Sequence, residues 1–93
     1  SGRAYTDWAV KTGTYTAVDK DQLIANSGSA FTITLPAGSV GNTVIICNAG
    51  AGTVTVGRNG SQKINSAAED GSLPQGNSVQ LVYVDDTIGW FEI

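Results

Sequence analysis

Between residues 30 and 47 the apolar and polar positions fall into two contrasting patterns. Phe31, Ile33 and Leu35 alternate with Thr32 and Thr34, the two-residue period of an extended chain with one buried face. Pro36 then removes a backbone donor, and Gly38 and Gly41 permit a reversal. Val44, Ile45 and Ile46 follow as a continuous apolar run of the kind buried on both faces. The pattern predicts two strands and a tight connection, a hairpin at the centre of the chain.

Alternation returns at Thr53-Val54-Thr55-Val56 and over residues 78–84, where Val79, Leu81 and Tyr83 share a face, and a last strand is predicted over 88–93. Asp85-Asp86-Thr87 reads as the turn between those two, and residues 73–77 as another turn. Arg58-Asn59-Gly60 reads as a hairpin turn, because Asn-Gly accepts the positive φ that sheet twist demands, with residues 62–65 as the returning strand. Residues 66–71 read as loop.

Towards the start the signal weakens. Residues 1–3 read as a flexible lead-in, residues 4–10 are too irregular to assign, and residues 14–17 are a short strand candidate. Residues 21–25 fit a helical turn or two before the break at Asn26-Ser27-Gly28-Ser29. Strands about ten residues apart, with no long helix, predict an all-β fold: a small antiparallel β-sandwich or barrel-like domain spanning residues 1–93 as one unit. No internal repeat is read beyond the hairpin rhythm.

Composition sharpens this picture. Thr, Val and Ile far outnumber Leu, Met is absent, and 12 Gly supply turns. A 93-residue chain builds only a small core, so apolar surface buried against other subunits would add substantially to stability. Charged residues are 14% of the chain and the net charge is −3, and five dispersed Lys and Arg argue against nucleic-acid binding. There is no histidine and a single cysteine, Cys47, which excludes an intramolecular disulfide, a Cys/His zinc site and histidine-based catalysis. Cys47 reads as a small buried hydrophobe. No apolar stretch reaches the roughly 18 residues of a membrane span, and no signal peptide is visible, so the chain reads as soluble.

Candidate chemistry is sparse. The paired acids Asp19/Asp21, Glu69/Asp70 and Asp85/Asp86 all fall in predicted turns, where carboxylates cap backbone amides, and no calcium-loop spacing surrounds them. The reading is a non-enzyme without cofactor or metal. Aromatic faces stack on sugars and anchor interfaces, which makes Trp8, Tyr15, Tyr83 and Trp90 candidates. The competing expectation is that Trp8 and Trp90 close the ends of the core. Arg58 and Asn59, at a predicted hairpin tip, are further ligand candidates.

The order of these pieces resembles the small β domains of tailed-bacteriophage tail fibres and tailspikes. It is carried by Trp8, Tyr15-Thr-Ala, Phe31-Thr-Ile-Thr-Leu-Pro-Ala, Gly41-Asn-Thr-Val-Ile-Ile, Val54-Thr-Val, Asn59-Gly60, Ile64, Leu81-Val-Tyr and Gly89-Trp90. The resemblance implies a homotrimer in the virion tail that takes part in recognition of host-surface carbohydrate, with self and host polysaccharide as partners. Trp8, Trp90, Tyr83, Arg58 and Asn59 are the expected carbohydrate-contacting residues. The closing 88–93 strand suits a C-terminal, distal module. The alternatives are a structural trimerisation or connector module without ligand, and a carbohydrate-binding module of a secreted enzyme.

Overall fold

A computed structural model describes residues 7–93. The lead-in predicted at residues 1–3 lies outside them. Nine strands follow in order: β1 (Trp8–Lys11), β2 (Tyr15–Thr16), β3 (Asp21–Ala25), β4 (Phe31–Thr34), β5 (Thr43–Asn48), β6 (Val54–Gly57), β7 (Gly71–Leu73), β8 (Ser78–Asp85) and β9 (Gly89–Glu92). They form two mixed sheets, one of five strands in the order β1-β3-β5-β8-β9 and one of four in the order β2-β4-β6-β7. The fold is all-β, but it is not antiparallel as the alternation suggested: β1, β3 and β5 run parallel, as do β2, β4 and β6.

From β1 to β6 the chain crosses from one sheet to the other at each step, and it crosses once more between β7 and β8. Neighbouring parallel strands need a long connection, and here the opposite sheet supplies it. Asp21 pairs with Val44 and Phe31 with Val54, each 23 residues on, so the second and third windings superimpose rung on rung. Among the nine strands, antiparallel pairing enters with β7 on β6, β8 on β5 and the β8–β9 hairpin.

The predicted central hairpin is therefore corrected. Residues 31–34 and 43–48 are both strands, but they lie in different sheets and never pair, because residues 35–42 cross between the sheets rather than reversing within one. Two further expectations change. Residues 21–25 form β3, since Leu23 and Ala25 fill the core at strand spacing, and residues 62–65 do not return along β6, whose antiparallel partner is β7. The β8–β9 hairpin and the 73–77 turn are where the sequence put them, the latter with Gly76 at φ 86° and Asn77 N donating to Pro74 O.

One core fills the space between the sheets. Leu23, Val44, Ile46, Leu81, Tyr83 and Trp90 enter it from the five-stranded sheet, and Ile33, Val54, Val56 and Leu73 from the other, with Ala17 and Leu35 on the connections. Asn48, the buried polar residue among the described residues, is fully used: Nδ2 donates to Gly52 O and Leu73 O, and Oδ1 accepts from Gly50 N. The molecule is a slab of 38 × 34 × 19 Å, which leaves each sheet with a broad outer face.

Candidate functional site

The two outer faces differ in chemistry. On the four-stranded sheet the outward positions align as Thr16, Thr34 and Gly57 in one row and Thr32, Thr55 and Ser72 in the next. That face is hydroxyl-rich and suited to water. On the five-stranded sheet the outward rows are Trp8, Gln22, Ile45 and Gln80, then Val10, Ile24, Cys47 and Ser78, then Thr43, Val82 and Phe91. Trp8, Val10 and Phe91 are exposed, at 49%, 58% and 46%, and Ile24, Ile45, Cys47 and Val82 are half-buried by their neighbours.

No Lys, Arg, Asp or Glu occupies these rows. Charge is displaced to corners: Asp21 accepts the Tyr15 hydroxyl at 2.9 Å, Lys11 Nζ sits 3.9 Å over the Tyr15 ring, and Asp19 accepts Thr43 N at 2.9 Å. Five strands spaced by about 4.8 Å and four to eight residues long give this face an area on the order of 400 Å². Gln22, Thr43, Gln80 and Ser78 make part of it polar without charge, and a largest surface patch of about 300–600 Å² on a monomer is often functional.

The sequence-nominated residues do not converge. Trp8 lies on the outer face at the β1 edge. Trp90 is completely enclosed and Tyr83 is 2% exposed, the two rings meeting edge to face at 5.5 Å, so neither presents a face to a sugar. Of the two tryptophans expected to close the core, Trp90 does so and Trp8 does not. The Tyr83 hydroxyl donates to Asp86 Oδ1 at 2.6 Å and accepts from Gln62 Nε2, and the carboxylate raises its pKa by stabilising the protonated phenol.

Arg58 and Asn59 serve their loop. Arg58 donates both its backbone N–H and its Nε to Asp70 Oδ1, at 3.0 and 3.1 Å, and Asn59 O accepts Gln62 N. These bonds to Arg58 hold the Asp70 carboxyl below its usual pKa. The paired acids are likewise committed to turns: Asp85 Oδ1 accepts the N–H groups of Thr87 and Ile88, and Asp86 receives the Tyr83 hydroxyl. Among the described residues no three metal-ligating side chains gather.

Sequence reasoning passed over Val10, Ile24, Val82 and Phe91, and it read Ile45 and Cys47 as buried where the structure turns both outward, half-buried. One signal was available. The run Val44-Ile45-Ile46 is apolar at both parities, which in a strand means that both faces are apolar, and only one of them meets the core. No protein-family model matches the chain, and no curated protein matches it.

Proposed function

We propose that this domain is an assembly module of a fibre, of the tail-fibre type its sequence resembles, in which three copies associate through the outer face of the five-stranded sheet. The observation that carries this reading is the asymmetry of the two faces. A copy laid against the uncharged rows of Trp8, Ile45 and Val82 meets no like charge and removes apolar surface from water, while the threonine face stays solvated. The threefold count and the place in a virion tail rest on the resemblance, as does a part in attaching the particle to host-surface carbohydrate.

The connector reading, assembly without a ligand, is favoured by one observation: of the five residues nominated for sugar contact, Trp90 and Tyr83 are closed within the core. Adsorption of the assembled domain to polysaccharide-bearing cells separates the two.

Native mass spectrometry with light scattering tests the assembly. The wild type is expected at three times the chain mass. Ile45→Lys, which sets a charge at the middle of the face, is expected to give a folded monomer, because burying an unpaired ammonium costs several kcal/mol, on the order of 3–5. Thr55→Lys on the opposite face is expected to leave the trimer intact. A monomeric wild type would sink the proposal.

A further inference from the structure

Asn59-Gly60 lies in the loop that follows β6, and it is the one Asn-Gly pair among the six asparagines of the sequence. Gln62 N donates to Asn59 O at 3.0 Å, Gly60 stands at φ 55° and Ser61 lies outside the left-handed region, so residues 59–62 form a type II′ turn with glycine first. The turn bond uses the carbonyl of Asn59 and leaves two groups over. The Gly60 N–H and the Asn59 side-chain amide have no hydrogen-bond partner among the described residues. Gly60 and Ser61 are exposed, and a Cβ at residue 60 would meet nothing within 4 Å, so solvent reaches the Gly60 nitrogen and no side chain shields it.

An unshielded amide nitrogen one residue beyond a free carboxamide is the pair of groups that closes a succinimide. We infer that Asn59 is a site of spontaneous deamidation, a modification that needs water and no enzyme. The Gly60 nitrogen gives its proton to solvent base and attacks Asn59 Cγ. A C–N bond forms, the Cγ–Nδ2 bond breaks, and Nδ2 takes up a proton and leaves as ammonia. Water then adds to either carbonyl of the five-membered imide. Opening beside Cγ leaves aspartate at position 59. Opening beside the main-chain carbonyl routes the chain through Cβ and Cγ as isoaspartate, one methylene longer.

Other positions are guarded. Asn26, Asn42, Asn48, Asn65 and Asn77 precede Ser, Thr or Ala, whose Cβ crowds the attacking nitrogen. The side-chain oxygens of Asn42, Asn48 and Asn65 are also held by backbone N–H groups. Asp70-Gly71 has the same spacing, but the Asp70 carboxylate accepts Arg58 N and Nε, and its negative charge repels a nucleophile. Asn59 is restrained by the turn bond. Ring closure rotates the 59–60 peptide and breaks that bond, which slows the native reaction by about tenfold or less relative to the unfolded chain.

The loop is tied to the core through Gln62. Its Oε1 accepts Gly38 N at 2.8 Å, and its Nε2 donates to Gly38 O and to the Tyr83 hydroxyl, each at 3.2 Å. The extra methylene of isoaspartate displaces the carbonyl that holds Gln62 N and so disturbs this clamp, whereas aspartate keeps the turn.

The test ages the whole chain in mildly alkaline buffer and follows it by peptide mapping, with isoaspartate read by enzymatic carboxyl methylation. Asn59 is expected to convert before the other five asparagines, and faster as pH rises, because the attacking nitrogen must lose its proton. In urea the rate is expected to rise by about tenfold or less. Asn59→Gln, whose closure needs a six-membered ring, is expected to stay intact at that position. The isoaspartyl fraction, separated by ion exchange, is expected to melt about 4–8 °C below the unaged protein, as the loss of one hydrogen bond gives in a domain of this size, with Asn59→Asp close to wild type. Conversion first at another asparagine, or a native rate more than about a hundredfold below the rate in urea, overturns the site. An isoaspartyl form that melts with the unaged protein overturns the coupling through Gln62.

Discussion

Trp90 illustrates how burial decides the role of a side chain. It is the largest fully enclosed residue, and its indole Nε1 has no hydrogen-bond partner among the described residues. Two consequences oppose each other in magnitude. Truncation to alanine empties the centre of the core and is expected to cost about 3–5 kcal/mol, a large part of a total of about 5–15 kcal/mol. Trp90→Phe also loses volume, but it removes a buried N–H whose unmet hydrogen bond costs about 1–3 kcal/mol, so its net loss is expected to stay below about 2 kcal/mol. Urea unfolding midpoints of the two variants should separate accordingly. An equal loss in both would show that the indole N–H is satisfied in solution. A sugar-binding assay on Trp90→Ala would therefore report unfolding rather than a lost contact.

At the scale of elements, what stacks the windings is backbone proximity at the corners. Gly50 and Gly52 lie against the backbone of Ser27 and Ser29 on the preceding winding, where a Cβ would strike main-chain atoms. Gly52 N also donates to Ser27 O at 2.8 Å, carrying the ladder around the bend. Gly52→Ala is expected to force the two windings apart and cost about 1–3 kcal/mol. Gly28, one winding earlier, has open space around its Cα, and Gly28→Ala is expected to be neutral or to stabilise by up to about 1 kcal/mol through the unfolded chain. Thermal unfolding of the two variants tests this pairing of windings: similar losses in both would argue against close stacking.

The same corners explain how much of the architecture was legible. Local alternation located the strands at 31–34, 54–57 and 78–85, and turn chemistry located the β8–β9 hairpin, because those signals lie within a few residues. Pairing partners were not legible from them. Asn59-Gly60 does form a turn, with Gln62 N donating to Asn59 O, but the path of the chain beyond it is fixed by Gln62 reaching Gly38, 24 residues away, and by residues 63–66 lying along β9. The winding left one trace in the chain, Phe31-Thr-Ile-Thr set against Val54-Thr-Val-Gly at the 23-residue interval, which is a solenoid period rather than a hairpin rhythm. Of the outer face, the doubled parity of residues 44–46 was the readable part.

For the whole molecule, the titrating groups bracket a wide plateau. Asp19 and Asp70 are held below the ordinary 3.8, chiefly by the backbone N–H groups of Thr43 and Arg58. A depressed carboxyl contributes stability that is present above its unfolded value and is lost as pH falls through the lower folded one. Tyr15 and Tyr83 are raised above 10.0, chiefly by hydrogen bonds to Asp21 and Asp86, so their contribution is present below 10.0 and is lost as pH rises through the folded values. With no histidine, the melting temperature is expected to be flat from pH 5 to 8, falling below about 4 and above about 10. A transition near neutrality in a pH series of melting curves would contradict this assignment.

The winding also sets the order in which the molecule can be made. Every ladder except β8–β9 joins residues at least 14 apart, and loop closure must precede each of them. β8 stands inside the larger sheet and β9 delivers Trp90, so Leu81, Tyr83 and the indole reach a partly built interior last. A ribosome releasing this chain N-terminus first leaves the aliphatic surfaces of β5 and β6 exposed until β8 and β9 have followed them. Elongation rate, more than native stability, then governs how much nascent chain is exposed to aggregation.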